Sequence, residues 1–282
     1  MNFDSVVERV TRLARTRAGF RLLRFVRARS VVAATNPRRL KSAPLALLVA
    51  LFPALVYAQG RPARDLSGLW HYESSGASEP VAPDNLIPPM TPWAKARFDA
   101  EKPGYGPRRA PGGNDPMLQC DPTGFPRIMF MNTPFEFVQL PGRIIQFFEH
   151  EHEYRTIWMD GRKLPADADP AWYGYAIGHW EGDDTLVVDS DGFRDSTWLG
   201  STGYPHSEDM RITERYRRAD HDTILYDITI TDPKAYTAPI VGPHRIMKLR
   251  PHDEMVEEIC VHSEEKAFAD RVADPATPAR AK

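Results

Sequence analysis

From Phe135 to Arg250 the chain alternates short period-two segments with tight polar turns, and that repetition restricts it to an all-β architecture. Phe135–Leu140 (FEFVQL) turns at Pro141-Gly142 into a strand that begins at Arg143. Tyr173–Trp180 and Thr185–Asp189 flank Glu181-Gly182-Asp183-Asp184. Met210–Arg218 and Thr223–Thr231 flank Asp220-His221-Asp222, and His244–Arg250 and Met255–His262 flank Pro251-His252-Asp253-Glu254. Asp65–Tyr72 adds a first strand, entered through Gly68. The result is roughly nine or ten consecutive strands with almost no helix. Strands joined by tight turns pair antiparallel, and closing such a sheet removes its edges. The expected fold is a single antiparallel up-and-down β-barrel, lipocalin- or calycin-like, about as wide as one small ligand. A β-sandwich is the alternative.

The strand after Pro141-Gly142 reads as one long element, RIIQFFEHEHEYRTIWM, with two unlike faces. One face carries Ile144, Gln146, Phe148, His150, His152, Tyr154 and Trp158. The other carries Arg143, Ile145, Phe147, Glu149, Glu151, Glu153 and Arg155. Three glutamates need water, so their face is expected outside and His150, His152 and Tyr154 inside. A wall that runs from apolar to imidazole and phenol suits a ligand pocket.

The charges are segregated. Residues 1–58 hold ten Arg and one Lys against Asp4 and Glu8, which leaves 25 basic and 36 acidic residues in 59–282. An acidic body repels phosphate backbones and argues against nucleic-acid binding. Ala43–Val56 (APLALLVALFPALV) is too short to span a bilayer, follows Arg38, Arg39 and Lys41, and ends in Val56-Tyr57-Ala58. It reads as a secretory signal cleaved after Ala58, so a periplasmic or secreted protein with no stable membrane span is expected. Residues flanking Arg38-Arg39 fit a twin-arginine signal poorly. The expected organisation is an Arg-rich extension and signal (1–58), a first strand with a Pro/Gly-rich wrap (59–134), a barrel body (135–263) and a charged tail (264–282). Within the wrap, Trp93–Glu101 reads as a short helix opening after Thr91-Pro92. In an oxidising compartment, Cys120 and Cys260 are expected to form one disulfide.

The chemistry concentrates in the polar loop after Asp189. His206 could serve as general acid or base, with Asp191, Asp195 or Glu208 orienting it. Arg155 or Arg211 could stabilise an oxyanion. Those acids could equally satisfy loop backbone donors. Ser207 lies beside His206 and lacks the nucleophile-elbow sequence. His152, Tyr154, Trp158, Trp180, Trp198 and Arg211 are the expected ligand contacts, the aromatic ones by stacking. His150 and His152, with His179 or His206, could hold a divalent transition metal, although no cofactor is the favoured expectation. No phosphate-binding, dinucleotide or calcium-loop motif occurs.

GHWEGDDTLVVDSDGF, DSTWL, PHSEDMRITERYRR, DPKAYT and EEICVHSEE together resemble a family of secreted bacterial proteins of unestablished activity, across roughly residues 65–263. The resemblance implies export, one β-rich domain and recurring cysteines at Cys120 and Cys260. Against that family this chain has one extra residue in the Gly182–Leu186 turn, and His152 rather than His150 matches its histidine. The leading expectation is an exported barrel that binds a small apolar or aromatic molecule. A cofactor-independent lyase, isomerase or hydrolase centred on His206 is the alternative, and a metal-dependent enzyme using His150 and His152 the third.

Overall fold

Alternating residues become ten strands: β1 (Gly68–Tyr72), β2 (Phe135–Leu140), β3 (Arg143–Phe148), β4 (Tyr154–Trp158), β5 (Tyr175–Glu181), β6 (Thr185–Asp191), β7 (Arg211–Asp220), β8 (Thr223–Thr231), β9 (Ile240–Val241) and β10 (Arg245–Leu249). The structure, a computed structural model, describes residues 64–73, 87–104 and 106–264. The chain divides into Met1–Ala58 and Gln59–Lys282, and every described residue belongs to the second unit. The apolar run at Ala43–Val56, the cleavage position at Ala58 and the tail beyond Glu264 lie outside the described residues.

The sheet closes. Strands run β1 through β8 in chain order, and β10 pairs with both β8 and β1. Short β9 pairs with the far half of β8, and β10 with its near half, so β9 and β10 are one barrel staff broken around Gly242-Pro243. The protein is an all-β barrel, as the turn pattern requires. One pairing departs from the up-and-down scheme: β4 and β5 are parallel, with Ile157 opposite Ala176. Residues 159–174 therefore travel the barrel's length before β5 begins. Parallel neighbours need such a crossover.

The two ends differ. Tight turns at Pro141-Gly142, Gly182–Asp184 and His221-Asp222 gather at one end. At the other lie the wrap, residues 192–210 and residues 232–239, and this loop end carries both clefts described below.

The first hairpin corrects two expectations. The long strand breaks into β3 and β4 at a turn whose central residues, Glu151 and His152, both have positive φ of 56° and 52°. Positive φ at both central residues is the type I′ arrangement, which matches the strand twist and usually takes Asn-Gly. The turn reverses the parity. Arg155 points into the barrel and is 3% exposed, whereas Tyr154 is outside at 58%. Glu149 is also buried. In addition, Met255–His262 forms no strand; it is a strap whose backbone pairs with the body at a single isolated bridge, Glu258 to His150.

The lumen is filled from within and stoppered from the loop end. Trp70, Phe135, Phe137, Ile144, Tyr216, Tyr226 and Met247 are fully buried. Into them drops the wrap's last segment, Thr123–Phe130, every residue of it buried, ending in a 3-10 turn. Helix α1 (Pro92–Ala100) opens as expected: Pro92 sits in its first turn and the Thr91 side chain accepts from Ala94 N. Arg97 of α1 pairs with Asp195 at 3.0 Å, and Phe98 stacks on Tyr204 at 4.8 Å, fastening the helix to the 192–210 loop.

Candidate functional site

The two most distinctive sequence blocks interlock. Asp232 of DPKAYT accepts from Ser207 N at 2.6 Å, Ser207 Oγ at 2.8 Å and Ala235 N at 3.0 Å. Tyr236 donates its hydroxyl to Pro205 O at 2.8 Å. His206 sits between them, fully buried. Its Nε2 lies 2.7 Å from Thr197 Oγ1 and its Nδ1 3.2 Å from Ser207 O. Since Ser207 O only accepts, Nδ1 carries the proton and Nε2 accepts from Thr197. Desolvation lowers the His206 pKa below its usual 6.5 and keeps the ring neutral. The carboxylates expected to orient it lie elsewhere. Asp195 binds Arg97, while Asp191 and Glu208 line a separate cleft.

That separate cleft, about 390 Å³, is lined by Asp167, Asp191, Glu208, Asp209 and Arg211 among others. Burial raises the Asp191 pKa, and Arg211 partly offsets that. Three of the expected site residues thus meet here, without His206.

A larger cleft of about 560 Å³ opens between the wrap, the β3–β4 turn and the strap. Met117, Leu118, Phe130, Met131 and Ile259 supply apolar wall, and Asp115, Arg127, His150, Glu151 and Glu258 supply charge. The Cys120–Cys260 disulfide is formed, and Cys260 lies on the rim. Arg127 is buried and grips Asp115 with two hydrogen bonds of 2.7 Å. His150 is also buried, its Nδ1 3.0 Å from Glu258 Oε1. Among the described residues, two of this lining each hold a buried nitrogen with no hydrogen-bond partner: Arg127 at Nε and His150 at Nε2. Buried polar atoms are rarely left so.

Residues at the β3–β4 turn explain its strained backbone. Glu149 Oε2 accepts from Val256 N at 3.0 Å, and His152 Nε2 donates to Val256 O at 2.9 Å, so the turn clasps the strap from two sides. Glu151 accepts from Thr123 N at 3.3 Å and so meets the plug. Asn-Gly would relax the backbone and lose these contacts.

Inside the barrel lies a third polar group. Arg155 and Glu214 form an ion pair at 2.8 Å, both side chains almost wholly buried. Tyr216 and Tyr226 donate to Glu214 Oε1 at 2.5 and 3.0 Å, and Arg155 Nε donates to Gln146 Oε1 at 2.8 Å. Arg155 also lies 3.9 Å over the Phe125 ring of the plug. Burial, then the Glu214 charge, raises both tyrosine pKa values well above 10. None of Arg155, Glu214, Tyr216 or Tyr226 lines either cleft.

The other expected contacts scatter. Trp158 lies outside beneath the Arg162 guanidinium at 3.8 Å, and Trp180 packs at the core's edge. Trp198 is buried with Arg127 over its ring at 5.8 Å, which sets it behind the larger cleft. His179 is exposed, 3.8 Å from Glu181. Among the described residues no three His, Cys, Asp or Glu side chains converge as metal ligands. Sequence reading missed Arg127, Asp115, Glu151 and Glu258. The signal for Asp115, Arg127 and Glu258 is proximity in sequence to Cys120 and Cys260, and for Glu151 its place between His150 and His152. No family model and no curated protein sequence matches the chain.

Proposed function

We propose that the protein is an exported β-barrel that binds a small, mainly apolar molecule carrying one polar group. The site is the cleft between plug, β3–β4 turn and strap, not the lumen. One observation carries this reading: Arg127 and His150 line one apolar-walled cleft, and each holds a buried nitrogen, Nε and Nε2, that has no hydrogen-bond partner among the described residues. A ligand offering a polar atom to either removes a cost of about 1–3 kcal/mol per orphaned group. The volume suits a drug-sized molecule. Export is supported by the apolar run at Ala43–Val56 and by a disulfide, which persists in oxidising compartments. The likeness of PHSE and WEGDDTLVVD to secreted bacterial proteins supports it too.

The test expresses the full chain and recovers it from the cell envelope. N-terminal sequencing should begin at Gln59; a protein that keeps Met1 contradicts export. Native mass spectrometry should show an organic adduct on the wild type that Leu118→Trp lacks, because Leu118 is an exposed cleft residue whose enlargement narrows the cleft. A protein recovered empty is screened by thermal shift against phenols and aromatic acids. A ligand at a hundred times its Kd raises stability by about 2.7 kcal/mol. Equal binding by wild type and Leu118→Trp would remove this cleft as the site.

A further inference from the structure

The larger cleft holds more than a binding wall. We propose that His150 and Glu258 make it an acid–base centre, with His150 the general base toward small carbonyl compounds that bear an acidic C–H. This rests on the cleft being the ligand site. Glu258 Oε1 lies 3.0 Å from His150 Nδ1, and a carboxylate there holds the proton on Nδ1 and leaves the Nε2 lone pair open. Nε2 has no partner among the described residues, and Glu151 Oε1 lies 3.9 Å from it, placed to stabilise an imidazolium. The dyad is held rigidly. Glu258 bridges to the His150 backbone, Cys260 is tied to Cys120 two residues on, and Glu149 and His152 grip Val256 two residues before. Such rigidity is what a positioned base requires. The turn that presents His150 carries two adjacent non-glycine residues at positive φ, and strain of this kind clusters at functional sites.

The chemistry balances without a co-reactant. His150 Nε2 takes a proton from the carbon next to a carbonyl. The C–H electron pair forms a C=C bond, and the carbonyl π pair moves onto oxygen. The enolate oxygen takes the free Nε–H of Arg127, whose guanidinium is fixed by Asp115. The imidazolium then returns the proton to the same carbon or a conjugated one, so the product is an isomer of the substrate. Glu258 is a positioning residue. Charged groups about the dyad are Glu258 on the strap, Glu149 and Glu151 on the turn, and Asp115 and Arg127 on the wrap.

A nitrobenzisoxazole probes the base without knowledge of the natural substrate. A base removes its ring C–H, the pair completes a nitrile as the N–O bond breaks, and the ring opens to a single coloured cyanophenolate. The full disulfide-bonded protein should accelerate this reaction with a rate that rises sigmoidally with pH. His150→Gln should lose about 100-fold or more. Leu118→Trp, at an exposed position, should lose the rate with the dyad intact. Glu258→Gln should lower the rate and move the pH midpoint down, since it removes the charge that stabilises the imidazolium; a purely structural role would leave the midpoint unmoved. Binding of the probe is followed in parallel by thermal shift. A wild type that binds the probe yet reacts no faster than His150→Gln overturns the acid–base centre and leaves the binding site standing. Failure to bind the probe or any phenol overturns both.

Discussion

At Glu214 a single carboxylate serves Arg155, Tyr216 and Tyr226 in the barrel's interior. Removing one member of a buried pair strands the other, so Glu214→Ala should cost about 3–5 kcal/mol in urea denaturation. Arg155→Met with Glu214→Leu should recover much of that loss, because a well-packed apolar pair is often as stable as the ions it replaces. His206 gives a pH signature. Burial holds its folded pKa below the ordinary 6.5, so the unfolded chain binds the proton more readily. Its contribution is therefore full above pH 6.5 and is lost as pH falls below that toward the folded value. His206→Gln should flatten that part of the pH–stability curve. Equal slopes for wild type and variant, measured by thermal denaturation across that range, would contradict the burial argument.

Elements explain what the sequence shows and what it hides. The strands of β7 and β8 are plain in ITERYRR and TILYDITI because alternation is a local signal. Glu214 shares a face with Ile212 and Tyr216, so its burial was legible in the same pattern. The β3–β4 turn was hidden because EHEHEY has the period of a strand, and its two positive-φ residues lack the Asn-Gly signature. Tertiary contacts with the strap and plug overrode that preference. The parallel β4–β5 pair and the strap are likewise long-range events, as is the meeting of Arg127 with the cleft. Gly124 marks where plug meets loop. Its φ is 74°, and a Cβ there would lie 2.5 Å from Thr197 Cγ2. Gly124→Ala should destabilise by more than about 1 kcal/mol, lifting the plug from the His206 loop. The Cys120–Cys260 bond spans 140 residues, so Cys260→Ser should cost about 5 kcal/mol in the chain-entropy model. Hydrogen exchange should rise first in 254–262 while β7 and β8 stay protected.

For the whole molecule, closure through β10 and a stoppered lumen are the reason the proposed ligand site lies at the barrel's loop end and not in its interior. That relocation is the central claim, and methionine methyl groups report on it directly. Met117 and Met131 line the cleft, whereas Met129 and Met247 lie in the barrel core. Methyl NMR of the methionine-labelled protein, titrated with its co-purifying molecule or with nitrophenol, reads both places at once. The account expects Met117 and Met131 to shift in a saturable way while Met129 and Met247 hold their positions. Shifts at Met129 and Met247 with Met117 and Met131 still would place the ligand in the lumen and contradict it.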